Sequence, residues 1–327
     1  MKQQHLKTLS LAACNSLIQI DSEIEHAVRQ FRCSEFFHYA ISPEDLSMRL
    51  NRSNFCQLRT CPLCCWVRSA KWRIRIFQGL PRLLSDYPDS LFLFLTLTVK
   101  NCHFAQLRSQ VRSMEQAWSR LSHYQKFPGI GYLKSLEITR PRDCFYAGQF
   151  LGRMGTKMAQ KWKIQLRALP NYGPELWSQF PCEEVHPHFH ILLMVDEAYF
   201  QSENYLDNFA WRSLWKKAAR LDYEPVIDIR KVRDIAKGIL ETSKYCLKPN
   251  DMTDVLGCLT IRQLHGLRLL SIGGAFNDYF SQAAIDEIAE SGEMGDEQRQ
   301  LGVPCHYEWD GERYRLTRLG EITRSIS

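Results

Sequence analysis

Three histidines that alternate along one short segment carry the clearest chemical potential in the sequence. His186, His188 and His190 stand two positions apart, and an apolar run over 191–195 follows them. Such a run is typical of a buried β-strand, in which successive side chains point to opposite faces. The three imidazoles therefore share one face, which favours a divalent metal site or histidine catalysis over a half-exposed structural strand.

Glu137 is a candidate for completing a metal site. It lies inside a β-rich run over 132–139, where a carboxylate is costly to bury without a partner. An exposed position at a sheet edge explains the residue equally well. If the two predicted strands are neighbours, Glu137 becomes an oxygen ligand beside the histidines, and an open site of this composition would take Mg²⁺ or Mn²⁺.

A second candidate metal site lies nearer the N-terminus. Within 56–64 three of the chain's 12 cysteines follow the spacing C-x4-C-x2-C, and Pro62 favours a turn between the close pair. This spacing predicts a structural Zn²⁺ site, with free core cysteines as the alternative. The predicted ligands are Cys33, Cys56, Cys61 and Cys64, and Cys65 is a possible substitute for one of them.

Positive charge is concentrated rather than spread evenly, although the net charge is only +6. The stretches 51–85 and 144–174 contain basic residues and no acidic ones, and both include tryptophans. This pattern favours a polyanion-binding surface. No apolar segment is long enough for a signal peptide or a membrane span, so we expect a soluble cytoplasmic protein without a membrane partner.

The predicted elements from 91 to 249 follow the order β-α-β-insertion-β-α-β-α, which suits an α+β fold with an antiparallel sheet and flanking helices. A helix predicted over 234–248, before Pro249, would place Glu241 and Tyr245 on one face, one turn apart. A hairpin is predicted over 307–314. We divide the chain into an N-terminal segment (1–32), a Cys-rich zinc module with a basic helix (33–90), a core (91–250) and a C-terminal region (251–327).

Three motifs in this order resemble those of plasmid rolling-circle replication initiators, the Rep proteins of the HUH endonuclease superfamily. They are Thr-Leu-Thr-Val-Lys-Asn over 96–101, His-Pro-His-Phe-His over 186–190, and Glu-Thr-Ser-Lys-Tyr-Cys-Leu-Lys over 241–248. The last motif is similar to that of the Rep group with a Glu-x-x-x-Tyr active site. The block 56–68 resembles the Cys-rich region that precedes the nuclease core in that group.

The resemblance implies a metal-dependent endonuclease with a ferredoxin-like or RRM-like core. It assigns His188 and His190 to metal binding, with His186 assisting or merely flanking them. Tyr245 would attack a DNA phosphate, form a 5′-phosphotyrosine and free a 3′-OH, and Glu241 would activate water at termination. We place Lys244 and Lys248 on DNA phosphates, as well as Arg68 and Lys71 of the basic helix.

The expected partners are double-stranded and single-stranded plasmid origin DNA, a host helicase and a host polymerase, and the sequence allows a homodimer. The zinc module and its basic helix are candidates for recognition of the origin duplex. Two other classes remain open. A histidine-triad nucleotide hydrolase would use a histidine as nucleophile and would need neither Tyr245 nor a zinc module. A non-enzymatic zinc DNA-binding regulator would leave the histidine strand without a purpose.

Overall fold

The computed structural model describes residues 2–20, 23–42, 48–140, 184–203, 205–244, 246–281 and 303–319. Two sequence-based predictions lie outside these ranges: the predicted nucleophile Tyr245 and the basic stretch 144–174. Among the helices that are described, none combines the length and the apolar composition that crossing a bilayer requires.

The described chain alternates helices and strands. The helices are α1 (Lys2–Ile18), α2 (Ile24–Phe31), α3 (Pro62–Asp86), α4 (Leu107–Ser122), α5 (Asn208–Ala219), α6 (Ile235–Thr242), α7 (Val255–Gln263) and α8 (Phe276–Phe280). The strands are β1 (Phe36–Ile41), β2 (Met48–Ser53), β3 (Leu91–Thr98), β4 (Cys102–His103), β5 (Gly129–Thr139), β6 (Glu184–Val195), β7 (Ile227–Lys231), β8 (Leu270–Gly274), β9 (Val303–Trp309) and β10 (Tyr314–Leu319).

The main sheet has the strand order β7-β3-β6-β5-β8, and each pair of neighbours is antiparallel. The prediction of an α+β fold with an antiparallel sheet and flanking helices is therefore confirmed. The histidine strand β6 is central, with β3 on one side and β5 on the other. Because its neighbours hold it on both edges, side chains on β6 occupy fixed positions, which a metal site requires.

Both faces of β6 are covered by helices. Phe189 and Ile191 point to one face, where they pack with α4 and α5. Leu192 and Met194 point to the other face, where they pack with α3, α6 and α8. His190 continues this second face beyond the apolar residues, so the alternation in the sequence separates a buried core from the polar site.

A second sheet, with the order β10-β9-β1-β2, joins the N-terminal and C-terminal parts of the described chain. The predicted hairpin over 307–314 corresponds to β9 and β10, whose turn contains Gly311 at φ 109°. The sequence did not indicate β1 and β2, because β2 is mostly exposed and shows no clear apolar alternation. The division into four segments stays a prediction, and the structure adds that β9 pairs with β1 of the predicted zinc module.

The helix predicted over 234–248 is shorter in the structure. It ends at Thr242, and the main-chain oxygen of Cys246 instead accepts a hydrogen bond from the N–H of Ile138, at 2.6 Å. This N–H lies on β5 beyond the last residue that pairs with β8, and a buried N–H needs an acceptor. The prediction of one continuous helix over 234–248 is therefore wrong: Glu241 lies on the helix, and the described residues that follow Thr242 lie outside it.

Candidate functional site

Glu137 and two of the three histidines converge on neighbouring strands. The pairing of β5 with β6 sets Glu137 directly opposite His188. Its Oε2 atom lies 2.9 Å from Nε2 of His190 and 3.7 Å from Nε2 of His188. The carboxylate is thus close to both imidazoles, as expected if the two predicted strands were neighbours.

The donor set fits a divalent cation. Metal–ligand bonds of about 2.1 Å place adjacent ligands of an octahedral ion about 3.0 Å apart, close to the shorter of the two observed distances. Two imidazoles and one carboxylate leave further coordination positions to water or substrate. Glu137, His188 and His190 are one of two groups among the described residues that could hold a metal ion.

Hydrogen bonds on the far side of each imidazole fix its orientation. Nδ1 of His188 lies 3.3 Å from the main-chain oxygen of His186, and since a carbonyl only accepts, Nδ1 is the donor and Nε2 is the nitrogen that faces Glu137. Nδ1 of His190 lies 3.1 Å from the hydroxyl of Thr96 on β3. Such partners orient metal ligands. Thr96 belongs to a motif that we recognised, but only the strand pairing gives it a role.

The charges within the group favour an ionised carboxylate. Burial raises the pKa of Glu137, but hydrogen bonds and charge interactions with His188 and His190 outweigh burial, and the pKa is lowered. Burial, followed by the charge of His188, lowers the pKa of His186. The buried Nε2 of His186 has no hydrogen-bond partner among the described residues, and this ring is not part of the Glu137 group. Its role as a ligand stays a prediction.

The residues on either side of position 245 approach this group from α6. Gly238 lies so close to β6 that a Cβ atom there would be 3.0 Å from Cδ1 of Leu192. Glu241 follows on the same helix and forms an ion pair with Lys244. Cys246 is then bonded to the residue that follows Glu137. The predicted catalytic segment therefore runs beside the strand that carries the carboxylate.

Arg73 connects α3 to the same segment, a contact that no sequence pattern indicated. Its Nε donates to the hydroxyl of Ser243 at 3.0 Å, and its Nη2 to the main-chain oxygen of Ser243 at 3.4 Å. Ser243 is fully buried and lies two positions before Tyr245. The basic helix of the predicted zinc module is thereby bonded to the segment that would carry the nucleophile.

The second metal-binding group consists of the four predicted cysteines. Sγ of Cys33 lies 3.6 Å from those of Cys61 and Cys64, and Sγ of Cys56 also lies 3.6 Å from that of Cys64. A Zn–S bond of about 2.3 Å gives a tetrahedral edge of about 3.8 Å, so the four sulfurs fit Zn²⁺. Cys65 does not belong to the group, because its thiol donates to the main-chain oxygen of Arg59 at 3.1 Å.

The backbone around the cysteines is folded so that main-chain N–H groups donate to the sulfur atoms. Ser34 and Gln57, each directly after a cysteine, adopt left-handed conformations with φ of 56° and 62°. This conformation costs free energy in residues other than glycine. In return, the N–H of Gln57 donates to Sγ of Cys64 at 3.2 Å, and that of Cys56 to Sγ of Cys33 at 3.4 Å. All four cysteines are buried, so the group is closed to solvent.

Two of the four predicted DNA-contacting residues line a cavity, and the other two lie outside it. Arg68 of α3 and Lys244 line one cavity of about 340 Å³ between α3 and the segment that follows α6. Lys71 is exposed on α3 outside the lining of this cavity. Lys248 is also exposed and precedes a short 3-10 helix, Pro249–Met252.

Comparisons with known proteins identify the family of this chain. The family model described as a replication protein (Rep) matches residues 47–316. Protein rep of Lactiplantibacillus plantarum is 31% identical, with 85% of this chain and 83% of the relative covered. Protein rep of Streptococcus pneumoniae is 30% identical, with coverages of 78% and 71%. A replication protein of Staphylococcus aureus is 26% identical, with coverages of 75% and 98%. The chain belongs to the Rep family of replication proteins. No solved structure matches it significantly.

Proposed function

We propose that the protein initiates plasmid rolling-circle replication by nicking one strand at the double-strand origin. Membership in the Rep family supports the role of an initiator. The observation that carries the nicking activity is the convergence of Glu137, His188 and His190 beside the segment that contains Tyr245. A metal-binding group beside a segment that contains a tyrosine suits phosphoryl transfer to that tyrosine.

In the proposed reaction the hydroxyl oxygen of Tyr245 attacks the phosphorus of a DNA phosphodiester. A bond forms between this oxygen and phosphorus as the hydroxyl proton of Tyr245 is lost to solvent, the bond from phosphorus to the 3′ oxygen breaks, and the 3′ oxygen takes up a proton from solvent and leaves as a hydroxyl. Tyrosine is a weak nucleophile because its pKa is about 10. Mg²⁺ or Mn²⁺ held by Glu137, His188 and His190 would polarise the phosphate as a Lewis acid.

The other roles are assigned to residues on the same segment. Lys244 and Lys248 lie within three positions of Tyr245 and would bind the phosphates of the strand. Glu241 would activate water at termination, so that the last cleavage releases the protein. We expect Glu241→Ala to nick normally and to accumulate unterminated products, and normal termination by this variant would exclude the role.

The cysteine group is proposed to hold a structural Zn²⁺, because four thiolates leave no coordination position for substrate. It lies at the start of α3, where Cys61 is the residue before the helix and Pro62 its first residue. The exposed Arg68 and Lys71 follow on this helix, and we assign them to the origin duplex. The free 3′-OH would then be extended by a host polymerase after strand separation by a helicase.

The two alternative classes of protein, a histidine-triad hydrolase and a zinc-containing regulator, explain fewer features of the site. A histidine-triad hydrolase needs an imidazole nitrogen open to a phosphate, whereas the carboxylate of Glu137 lies 2.9 Å from Nε2 of His190 and would repel one. A zinc-containing regulator without activity would give the Glu137 group no function.

The proposal is tested by incubating the protein with Mg²⁺ or Mn²⁺ and a supercoiled plasmid that carries its own origin. Denaturing gels should show a nicked strand with protein attached to its 5′ end. Tyr245→Phe should give neither product. Nicking without attached protein would make water the nucleophile, and no nicking of a verified origin would refute the proposed activity.

A further inference from the structure

The cavity between α3 and the segment after α6 has a composition that the proposed function does not yet use. It has a volume of about 340 Å³, within the range of small-molecule sites. Among the described residues, the charged ones that line it are Arg59, Arg68, Lys244 and Arg268, and none of the described lining residues is a carboxylate. The cavity is therefore strongly cationic.

Three of these four cations meet no carboxylate among the described residues. Arg59 donates to the main-chain oxygen of Leu267 at 2.8 Å, and Arg68 donates to that of Gln57. Carbonyl groups orient a guanidinium without cancelling its charge. Arg268 is exposed and forms no ion pair within the described chain. Within the described residues, Lys244 alone of the four forms an ion pair, with Glu241.

The positively charged side chains that line the cavity repel one another. Burial and the neighbouring charge of Arg68 lower the pKa of Arg59, so its positive charge is held at a cost that an anion would relieve. A phosphate brought to the rim would thus gain from cations that the described chain leaves without an acidic partner.

The remaining lining is largely apolar. Leu136 and Ile261 are buried and form the floor, and the partly buried Leu269 and Trp72 also line the cavity. The guanidinium carbon of Arg75 lies 4.7 Å from the centre of the indole ring, which holds the ring in place. An apolar floor beneath a cationic rim matches a ligand that has an apolar ring at one end and a phosphate at the other.

We propose that this cavity binds one nucleotide of the single strand that the protein cuts, with the base on the apolar floor and a phosphate at the cationic rim. The proposal rests on the proposed function. Lys244 and Cys246, which line the cavity, flank Tyr245. A nucleotide bound there fixes the strand beside the predicted nucleophile, and the zinc module supplies one wall of the site.

Binding without cleavage tests the proposal. Labelled single-stranded 30-mers that tile the plasmid origin are titrated by fluorescence anisotropy without added divalent metal. Arg268→Ala removes an exposed charge at the rim, and Ser69→Phe fills part of the cavity from α3. The matched control is Arg112→Ala, an exposed arginine on α4 that is not among the residues that line the cavity.

For the tightest 30-mer we expect Arg268→Ala to weaken binding about tenfold and to reduce the slope of log K against log salt by about one. Ser69→Phe should weaken binding about tenfold with an unchanged slope. Arg112→Ala should stay within about twofold. If Ser69→Phe fails to fold, Arg268→Ala decides alone, since its site is exposed. Wild-type affinity of Arg268→Ala would overturn the proposal.

Two further outcomes separate the alternatives. Competition by free dAMP or TMP at micromolar concentration would mean that the cavity takes a free nucleotide, and this would overturn the assignment to the strand. If the protein never nicks its origin but Arg268→Ala and Ser69→Phe still weaken single-strand binding, the proposed nuclease fails and the nucleotide site stands.

Discussion

The two metal-binding groups of this chain are built in opposite ways. The four cysteines are buried, the sulfurs of Cys33 and Cys64 accept main-chain hydrogen bonds, and the sulfur–sulfur separations are nearly equal. Glu137, His188 and His190 keep part of their surface exposed, with side-chain accessibilities of 17%, 11% and 14%, and lie at the end of an apolar strand face. The first arrangement suits a permanent ion and the second an ion that exchanges ligands with substrate.

The two groups are also held in place by different kinds of backbone structure. The cysteines are held by loops in costly left-handed conformations, so folding of that region and metal binding depend on each other. The histidines are held by β3 and β5, which form with or without an ion. Removing ligands should therefore unfold one region and only inactivate the other.

The largest expected effect is on the nicking rate, when a ligand is removed from the partly exposed group of Glu137, His188 and His190. His188→Ala should lower the nicking rate about a thousandfold, because loss of a metal that supplies several kcal/mol removes about that factor. The melting temperature should hardly change. His186→Ala, whose ring lies off the group, provides the comparison and should lose less than about tenfold. A His188→Ala variant that nicks within tenfold of wild type would contradict the assignment.

Removing a ligand from the buried group of four cysteines should affect stability. Cys61→Ser should reduce bound zinc, measured by elemental analysis, and lower the free energy of unfolding by about 3 kcal/mol or more. Cys65→Ser should keep its zinc, because its sulfur bonds a carbonyl outside the group. Equal zinc loss in both variants would mean that the ligands have been assigned incorrectly.

A smaller effect is expected from the hydroxyl that orients His190. Thr96→Val should raise the Mn²⁺ concentration needed for half-maximal nicking by about 10- to 100-fold, the usual cost of losing a partner of a metal ligand. Thr98→Val is matched to it, since the Thr98 hydroxyl donates to the main-chain oxygen of Val226 instead, at 2.6 Å. The same Mn²⁺ requirement in both variants would show that Thr96 does not position the imidazole.

The smallest expected effect concerns Arg73, which bonds the helix of the predicted zinc module to Ser243 in the predicted catalytic segment. Arg73→Ala should slow single-turnover formation of the covalent product about tenfold, since charged hydrogen bonds contribute about 1.5–3 kcal/mol. Affinity for DNA and melting temperature should change little, which distinguishes positioning from folding. Arg73→Lys should recover part of the rate. An unchanged rate in Arg73→Ala would show that this contact does not affect catalysis.

The sequence predicted the parts of the site that depend on local pattern. Strand alternation placed His188 and His190 on one face, and the cysteine spacing predicted a group that the structure assembles from the same four residues. The approach of Glu137 depended on which strands are neighbours, so it was conditional until the pairing was known.

Contacts between distant segments could not be predicted. The bond from Arg73 to Ser243 spans 170 positions, and the early end of α6 follows from the need of β5 for an acceptor. Helical periodicity continues through 234–248, but the main chain there satisfies a strand edge instead. Local pattern therefore failed where a tertiary hydrogen bond determined the backbone.

The most direct test of the account identifies the residue that becomes linked to DNA. The covalent product of a nicking reaction is digested with nuclease and protease, and the modified peptide is sequenced by mass spectrometry. The account predicts a nucleotide attached through phosphate to Tyr245. Attachment to a different residue, or an unmodified Tyr245 in a protein that nicks its origin, would contradict it.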